Sequence, residues 1–378
     1  MRKILFILGT RPEAIKLCPV ILHFRQWFEV TTCVTAQHRA LLDQVLTAFG
    51  LKPDIDLDLM LPGQTLFQST SRILGSLEGV LQTEKPGMIF VQGDTTTTFC
   101  GALAGFYAGV PVAHVEAGLR TGDMRQPFPE EMNRVLATRL AALHFPPTRS
   151  AADNLRRERI PESSIHITGN TGIDALLYVK AGLESGRMSA PGALPFDNRR
   201  KMILVTGHRR ESFGEGFERI CEALSLLAGR EDVEIVYPVH PNPRVTGPVR
   251  RLLGRKPRIH LIEPQEYVPF VDLMRRCHFL LTDSGGVQEE APSLGKPVLV
   301  MRDKTERPEA VEAGSSRLVG TDPERILAEA RLLLEDEAEY ERRSRIHNPY
   351  GDGQASGRIA RAVQNYFAAA REMAAAPR

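Results

Sequence analysis

KILFILGTRPEAIKL, residues 3–17, is the stretch from which the fold is read. Ile4–Leu8 is an unbroken apolar run, the pattern of a strand buried on both faces. It is far too short to cross a membrane and too short for the apolar core of a secretory signal. Gly9 and Thr10 end the run. Pro12 then stands where a first helical residue would, with Glu13 in the first turn. A buried strand, a polar turn and a helix start make up one unit of a parallel α/β sheet.

The same unit recurs outward from this point. Val30–Thr35, Met88–Val91, Val110–Val115, His144–Pro146 and Ile165–Thr168 read as strands. Helices are expected from about Pro12 to Phe28, then at Arg39–Phe49, Leu66–Thr83, Thr95–Ala108, Glu130–Ala141, Ala151–Arg159 and Gly172–Val179. Residues 181–198 are rich in Gly, Ala, Ser and Pro and lack clear periodicity, as a linker with some helix in it would. The alternation restarts with strands Met202–Thr206, Val233–Val239, Ile259–Ile262, Phe279–Thr282 and Pro297–Val300, and a helix at Phe217–Leu227. Ser356–Met373 reads as one amphipathic helix. The expected organisation is a first domain over 1–180 joined by helix 356–373, a linker over 181–198, and a second domain over 199–355. Each domain should be a doubly wound parallel sheet covered on both faces.

Composition narrows the function classes. The chain has 378 residues, 42% hydrophobic and 25% charged, with a formal net charge of +2. These are ordinary globular values, and the balance gives no sign of bulk nucleic-acid or membrane-surface binding. The five cysteines include no C-x-x-C pair and sit among apolar or small residues, as buried free thiols in a reducing compartment would. A cytoplasmic protein without a structural zinc site is expected. No G-x-G-x-x-G turn occurs, which counts against a bound nicotinamide.

In open α/β sheets, ligands bind beyond the carboxyl ends of the strands, so the polar loops there carry the functional candidates. GTRPEAIK places Arg11 and Lys16 around a helix N-terminus, where backbone N–H groups also attract anions. QGDTTTT offers Asp94, either as a helix cap or as a ligand group. HVEAGLR delivers Glu116 from a strand exit. PFPEE delivers Glu130 to a helix start, where plain charge complementation is the alternative. Carboxylates that meet in space split their pKa values into an acid and a base. TGHRRES puts His208 directly after a strand, beside two arginines. TDSGGVQEE opens a helix with Ser284, Gly285 and Gly286, a turn suited to a diphosphate, with Glu290 placed to accept ribose hydroxyls. RDKTERPE offers Arg307.

Together GTRPEAIKL, VTAQHR, QGDTTTT, HVEAGLRTGD, PFPEEMNR, TGHRRESFG, LTDSGGVQEEAPSLGKPVLVMRDKTERPEA and NPYGDGQAS resemble the non-hydrolysing UDP-N-acetylglucosamine 2-epimerases, in the right order from Gly9 to about Ile359. The resemblance implies a glycosyltransferase B-type fold: two Rossmann-like domains facing a deep cleft, with a C-terminal helix crossing back to the first. It implies UDP contacts at Ser284, Gly285, Gly286 and Glu290, with Gln265 and Phe270 near the uracil. Sugar-diphosphate contacts would come from Arg11, Lys16 and Arg307, and catalysis from Asp94, Glu116, Glu130 and His208. Gln37 and His38 match the region where some members bind a second UDP-sugar as activator. A homodimer is expected, and no cofactor.

Chemistry leads the same way. The C2 proton of an N-acetylhexosamine is not beside a carbonyl, so a base alone cannot remove it. Breaking the C1–O bond first makes that proton acidic, and loss of UDP then gives a 2-acetamidoglucal. UDP returns as a proton is added to the other face. Such a reaction would supply N-acetylmannosamine units for cell-surface polysaccharide. The rival readings are a retaining glycosyltransferase of the same fold, a hydrolysing epimerase in which water captures the intermediate, and a UDP-sugar-binding regulator without catalysis.

Overall fold

A computed structural model describes residues 2–35, 39–61, 63–190 and 199–375. The chain divides into two compact units, residues 1–178 with 351–378, and residues 179–350.

The first unit holds β1 (Lys3–Leu8), α1 (Arg11–Phe24), β2 (Glu29–Val34), α2 (Arg39–Ala48), β3 (Ile55–Asp56), α3 (Leu66–Glu84), β4 (Met88–Gln92), α4 (Thr96–Tyr107), β5 (Val112–Val115), α5 (Glu130–Leu140), β6 (Leu143–Phe145), α6 (Arg149–Arg157) and the start of α7 (Thr171–Glu184). Its sheet is parallel, in the order β3-β2-β1-β4-β5-β6. That is the Rossmann order, whose topological switch point lies between β1 and β4. Strands β1 and β4 are buried along almost their whole length, which explains their unbroken apolar runs. Phe6 stacks on Phe90 at 4.7 Å, and Phe24 meets both rings edge-on at 5.6 and 5.0 Å. Full burial of each such ring contributes about 1.5–3 kcal/mol.

The second unit repeats the plan with β7 (Lys201–Thr206), α8 (Glu215–Leu227), β8 (Val233–Pro238), α9 (Pro243–Leu253), β9 (Ile259–Ile262), α10 (Tyr267–Arg276), β10 (Phe279–Thr282), α11 (Gly285–Glu290), β11 (Val298–Val300), α12 (Pro308–Ala313), β12 (Ser316–Leu318), α13 (Pro323–Glu335) and α14 (Glu337–Ser344). Its parallel sheet runs β12-β11-β10-β7-β8-β9, so the switch point lies between β7 and β10. A core of Ile203, Val205, Phe217, Leu224, Tyr237 and Phe279 fills the space under its helices.

The C-terminal helix (Ala355–Ala375) returns to the first unit. The Arg2 guanidinium lies 4.3 Å above the Phe367 ring, and Phe28 lies 6.1 Å from it. The buried Asp174 carboxylate caps the helix start, accepting from the Ser356 N–H at 2.8 Å and the Ala355 N–H at 3.2 Å.

Several expectations change. Ile165–Thr168 is not a strand: only Ile165 bridges to His144, and Ile167 is 42% exposed, so no continuous face is buried there. Helix α1 stops at Phe24, because the chain must reverse for the Glu29 N–H to meet the Arg2 carbonyl at 3.2 Å. The short edge strands β3 and β12 were not foreseen. Helix α7 runs on through Val179 to Glu184, into the stretch read as linker, and residues 191–198 of that stretch lie outside the described residues.

Candidate active site

Four of the polar motifs fall at the two switch points. Those after β1 and β4 flank the first; those after β7 and β10 flank the second.

At the first switch point Gly9 has no room for a side chain. A Cβ there would lie 2.4 Å from the hydroxyls of both Thr35 and Thr97, which bond each other at 2.9 Å. Arg11 and Lys16 lie on α1. Arg11 makes no hydrogen bond or ion pair among the described residues, whereas Lys16 Nζ pairs with Glu116 Oε1. The other Glu116 oxygen accepts from Gln92 Nε2. Glu116 follows β5 directly and is held at φ 62°.

Asp94 does not cap α4. Thr95 does, its hydroxyl accepting from the Thr98 N–H at 3.1 Å, which leaves the Asp94 carboxylate for other contacts. Burial is the main reason its pKa rises above the ordinary carboxylate value. Arg134 and Lys16 pull it down, and the charges of Glu116 and Glu130 push it up. Arg134 Nε lies 3.7 Å from Asp94 and 3.0 Å from Glu131, an ion pair without hydrogen-bond alignment. Glu130 is the first residue of α5, half-buried, with no hydrogen-bond or ion-pair partner among the described residues. The first unit therefore gathers Lys16, Asp94 and Glu116, with Glu130 close enough to act on Asp94 electrostatically.

At the second switch point His208 and Arg209 donate their backbone N–H groups to Asp283 Oδ2, at 2.7 and 2.8 Å. Asp283 is 2% exposed, and its other oxygen lies 3.3 Å from His208 Nδ1. The His208 ring stacks on His240 at 5.3 Å. Burial lowers the His208 pKa, Asp283 pulls it back up, and Arg209 and His240 lower it further. Ser284 is the N-cap residue of α11. Gly285 is packed: a Cβ there would touch the Arg307 guanidinium at 3.0 Å. Gly286 is exposed with open space around it. Of the paired acidic residues, Glu289 takes the structural part, bonding Arg307 Nε at 2.9 Å, while half-buried Glu290 ends the helix. Gln265 donates to the Glu263 carbonyl at 2.7 Å, just before α10, and Phe270 lies half-buried on that helix. Gln37 and His38 lie outside the described residues.

Reading the sequence passed over Glu13, Gln92, Glu131, Arg134 and Asp283 as working residues, although each lies inside a quoted motif. Glu131 is buried and accepts the Thr121 and Gly122 N–H groups at 3.0 and 3.1 Å. For Glu131 and Asp283 the signal was a charged residue directly beside Glu130 and Ser284; Glu13, Gln92 and Arg134 carried none beyond lying in the same motifs. Among the described residues, no group of three or more His, Cys, Asp or Glu side chains is arranged to hold a metal ion, and no helix is long and apolar enough to cross a membrane.

Two Rossmann-ordered sheets, with carboxylates at one switch point and a His-Asp pair and Ser-Gly-Gly turn at the other, define a two-domain α/β enzyme. The family model described as UDP-N-acetylglucosamine 2-epimerase matches residues 21–364, and the chain belongs to that family. It is 57% identical to the UDP-N-acetylglucosamine 2-epimerase of Salmonella typhimurium over 371 residues, 96% of this chain and 99% of the relative. The Escherichia coli K12 relative of the same name is also 57% identical, over 96% of this chain and 98% of its own. Among solved structures, the Neisseria meningitidis UDP-GlcNAc 2-epimerase bound to UDP-GlcNAc superposes with a TM-score of 0.87 at 47% identity, covering 96% of this chain and all of that one.

Proposed function

We propose that the chain interconverts UDP-N-acetylglucosamine and UDP-N-acetylmannosamine by eliminating UDP to a 2-acetamidoglucal and adding it back, without releasing free sugar. The observation that carries this reading is the set of carboxylates Asp94, Glu116 and Glu130 in one unit, with Lys16 and Arg134 among them. Inversion at C2 needs a proton removed from one face and returned on the other, hence two positioned acid–base groups. Burial above all, with the charges of Glu116 and Glu130, raises the Asp94 pKa, as suits a carboxyl that takes and returns a proton. Glu116 is tied to Lys16 and Gln92, and Glu130 is without a partner among the described residues, so the three carboxylates differ in environment.

Departure of the diphosphate needs preorganised positive charge and N–H donors. On this reading Ser284, Gly285, Gly286 and Arg307 hold it, with His208 oriented by Asp283, and Arg11 and Lys16 are further sugar-diphosphate contacts. Glu290 takes the ribose, and Gln265 and Phe270 the uracil. The product feeds cell-surface polysaccharide synthesis. The working form is a cytoplasmic homodimer. Five free buried cysteines support the reducing compartment.

Conversion of UDP-N-acetylglucosamine in heavy water, followed by NMR, tests the mechanism. Product carrying deuterium at C2, with no free N-acetylmannosamine, is the expected result. Product that keeps the substrate's C2 hydrogen refutes elimination, and accumulating free sugar makes the enzyme a hydrolase.

A further inference from the structure

Glu13 is a carboxylate that the proposed reaction does not use, and it is 1% exposed. Its Oε2 accepts from the Gly9 N–H at 3.1 Å and the Thr10 hydroxyl at 2.7 Å, both in the loop after β1. Its Oε1 accepts from the Thr95 hydroxyl at 2.9 Å, in the loop after β4. Thr98 Oγ1 lies farther off at 3.4 Å and gives its proton to the Gln92 carbonyl at 2.5 Å. One carboxylate thus spans both loops of the first switch point. Lys16 is one helical turn beyond Glu13, and Asp94 adjoins Thr95.

We propose that Glu13 is a positioning residue for the epimerisation, tying the loop after β1 to the loop after β4 and so setting Lys16 and Asp94 against Glu116. This rests on the reaction proposed above. A cap of α1 alone would need only the Thr10 side of the contact; the Thr95 arm reaches a different strand's loop and the N-cap of a different helix.

The bridge is sensitive to protons. The groups packed against the carboxylate are neutral: Gly9 and Thr10 after β1, and Thr95 and Thr98 at the start of α4. The charged neighbours on these elements are Arg11 and Lys16 on α1, Asp94 after β4 and Glu116 after β5, and none of them pairs with Glu13 among the described residues. Burial pushes the carboxyl up to about 7, against the pull of the Thr10 and Thr95 hydroxyls and the Gly9 and Thr10 N–H groups. The ionised carboxylate accepts from all of its close partners. A proton on Oε1 would have to be donated to the Thr95 hydroxyl, which already accepts the Thr98 N–H and would then give up its own bond to Glu13.

Glu13→Gln tests this in the full chain. Turnover is expected to fall about 10- to 100-fold, the scale of a small misplacement of reacting groups. UDP affinity measured by calorimetry should fall by less than turnover does, because of the proposed diphosphate contacts only Lys16 is set by the bridge. The inflection near pH 7 that Glu13 gives to the log kcat profile should vanish, while Glu13→Asp should keep an inflection at lower turnover. In the wild-type protein labelled with ¹³C-glutamate, the carboxyl resonance missing from Glu13→Gln should titrate near 7. If Glu13→Gln does not fold, Thr95→Val removes the other arm and should lower turnover, and Thr95→Ser should restore it. Unchanged turnover and pH profile in Glu13→Gln, or in Thr95→Val, overturns the proposal. So does a Glu13 carboxyl that titrates in the ordinary range. A wild-type chain that leaves UDP-N-acetylglucosamine unchanged refutes the reaction itself, while the titration still reports on the bridge.

Discussion

Glu116 sits at φ 62°, where a residue with a Cβ costs on the order of 1–2 kcal/mol. Its N–H bonds the Phe145 carbonyl at 3.0 Å, and the Gly93 N–H bonds the Val115 carbonyl at 3.0 Å, so neighbouring strand ends hold the conformation in place. Glu13 shows the companion cost, a buried charge without a counter-ion. Its folded pKa of about 7 lies above the ordinary 4.5. Between these values the folded chain binds a proton that the unfolded chain has released. The contribution is fully present below about pH 4.5 and is lost as pH rises through 7. The loss is on the order of 3 kcal/mol. Buried His114, lowered to about 3, works in the opposite sense: its neutral form favours folding above the ordinary 6.5, and that stability is lost as pH falls. The difference between wild type and Glu13→Gln isolates the carboxylate. Urea denaturation at intervals from pH 5 to 8 should show wild type losing stability relative to Glu13→Gln as pH rises; a constant gap would contradict the assignment. The charge of Glu13 and Asp94 was legible in the sequence, but their partners were not. Thr95 takes the cap that Asp94 suited equally well, and only the fold places Thr95 against Glu13.

Helices and strands were legible where burial is continuous. Strands β1, β4, β7 and β10 have unbroken apolar runs because helices cover both faces, and these four carry the switch points. Edge strands β3 and β12 are two and three residues long and only partly buried, so no pattern marked them. The C-terminal helix was legible by its periodicity, but its anchor was not: Asp174 lies far away in the chain. Removing the carboxylate in Asp174→Ala leaves two N–H groups at the helix start without an acceptor. That should cost about 1–2 kcal/mol, the usual range for a lost cap. Hydrogen exchange should speed up over the first turns of the C-terminal helix, near Ala355–Ile359, and remain unchanged in α8 of the other unit. Equal exchange in variant and wild type would show that the Phe28 and Arg2 contacts to Phe367 hold the helix without this cap.

At the scale of the molecule, one strand order occurs twice without any visible repeat in sequence. Each unit needs only buried strands, helices on both faces and polar loops at the carboxyl ends, and many sequences meet those demands. That is why the architecture was legible from alternation alone, while the chemistry had to be read loop by loop. The loops divide it: carboxylates stand in the first unit, and the His-Asp pair with the Ser-Gly-Gly turn in the second. Binding and proton transfer should separate by mutation accordingly. Glu290→Ala removes the proposed ribose acceptor, and losing hydrogen bonds to a charged group should weaken UDP about 10- to 100-fold. Glu116→Gln keeps the side chain's size and leaves the second unit untouched, so UDP affinity should hold within a few-fold. Its turnover should fall by roughly two to four orders of magnitude, the range for losing a general acid or base. Calorimetry with UDP on the full chain, beside initial rates with UDP-N-acetylglucosamine, distinguishes the cases. If Glu116→Gln lost UDP binding while Glu290→Ala kept it, nucleotide recognition would belong to the first switch point, and the carboxylates there would be binding groups rather than the acid and base.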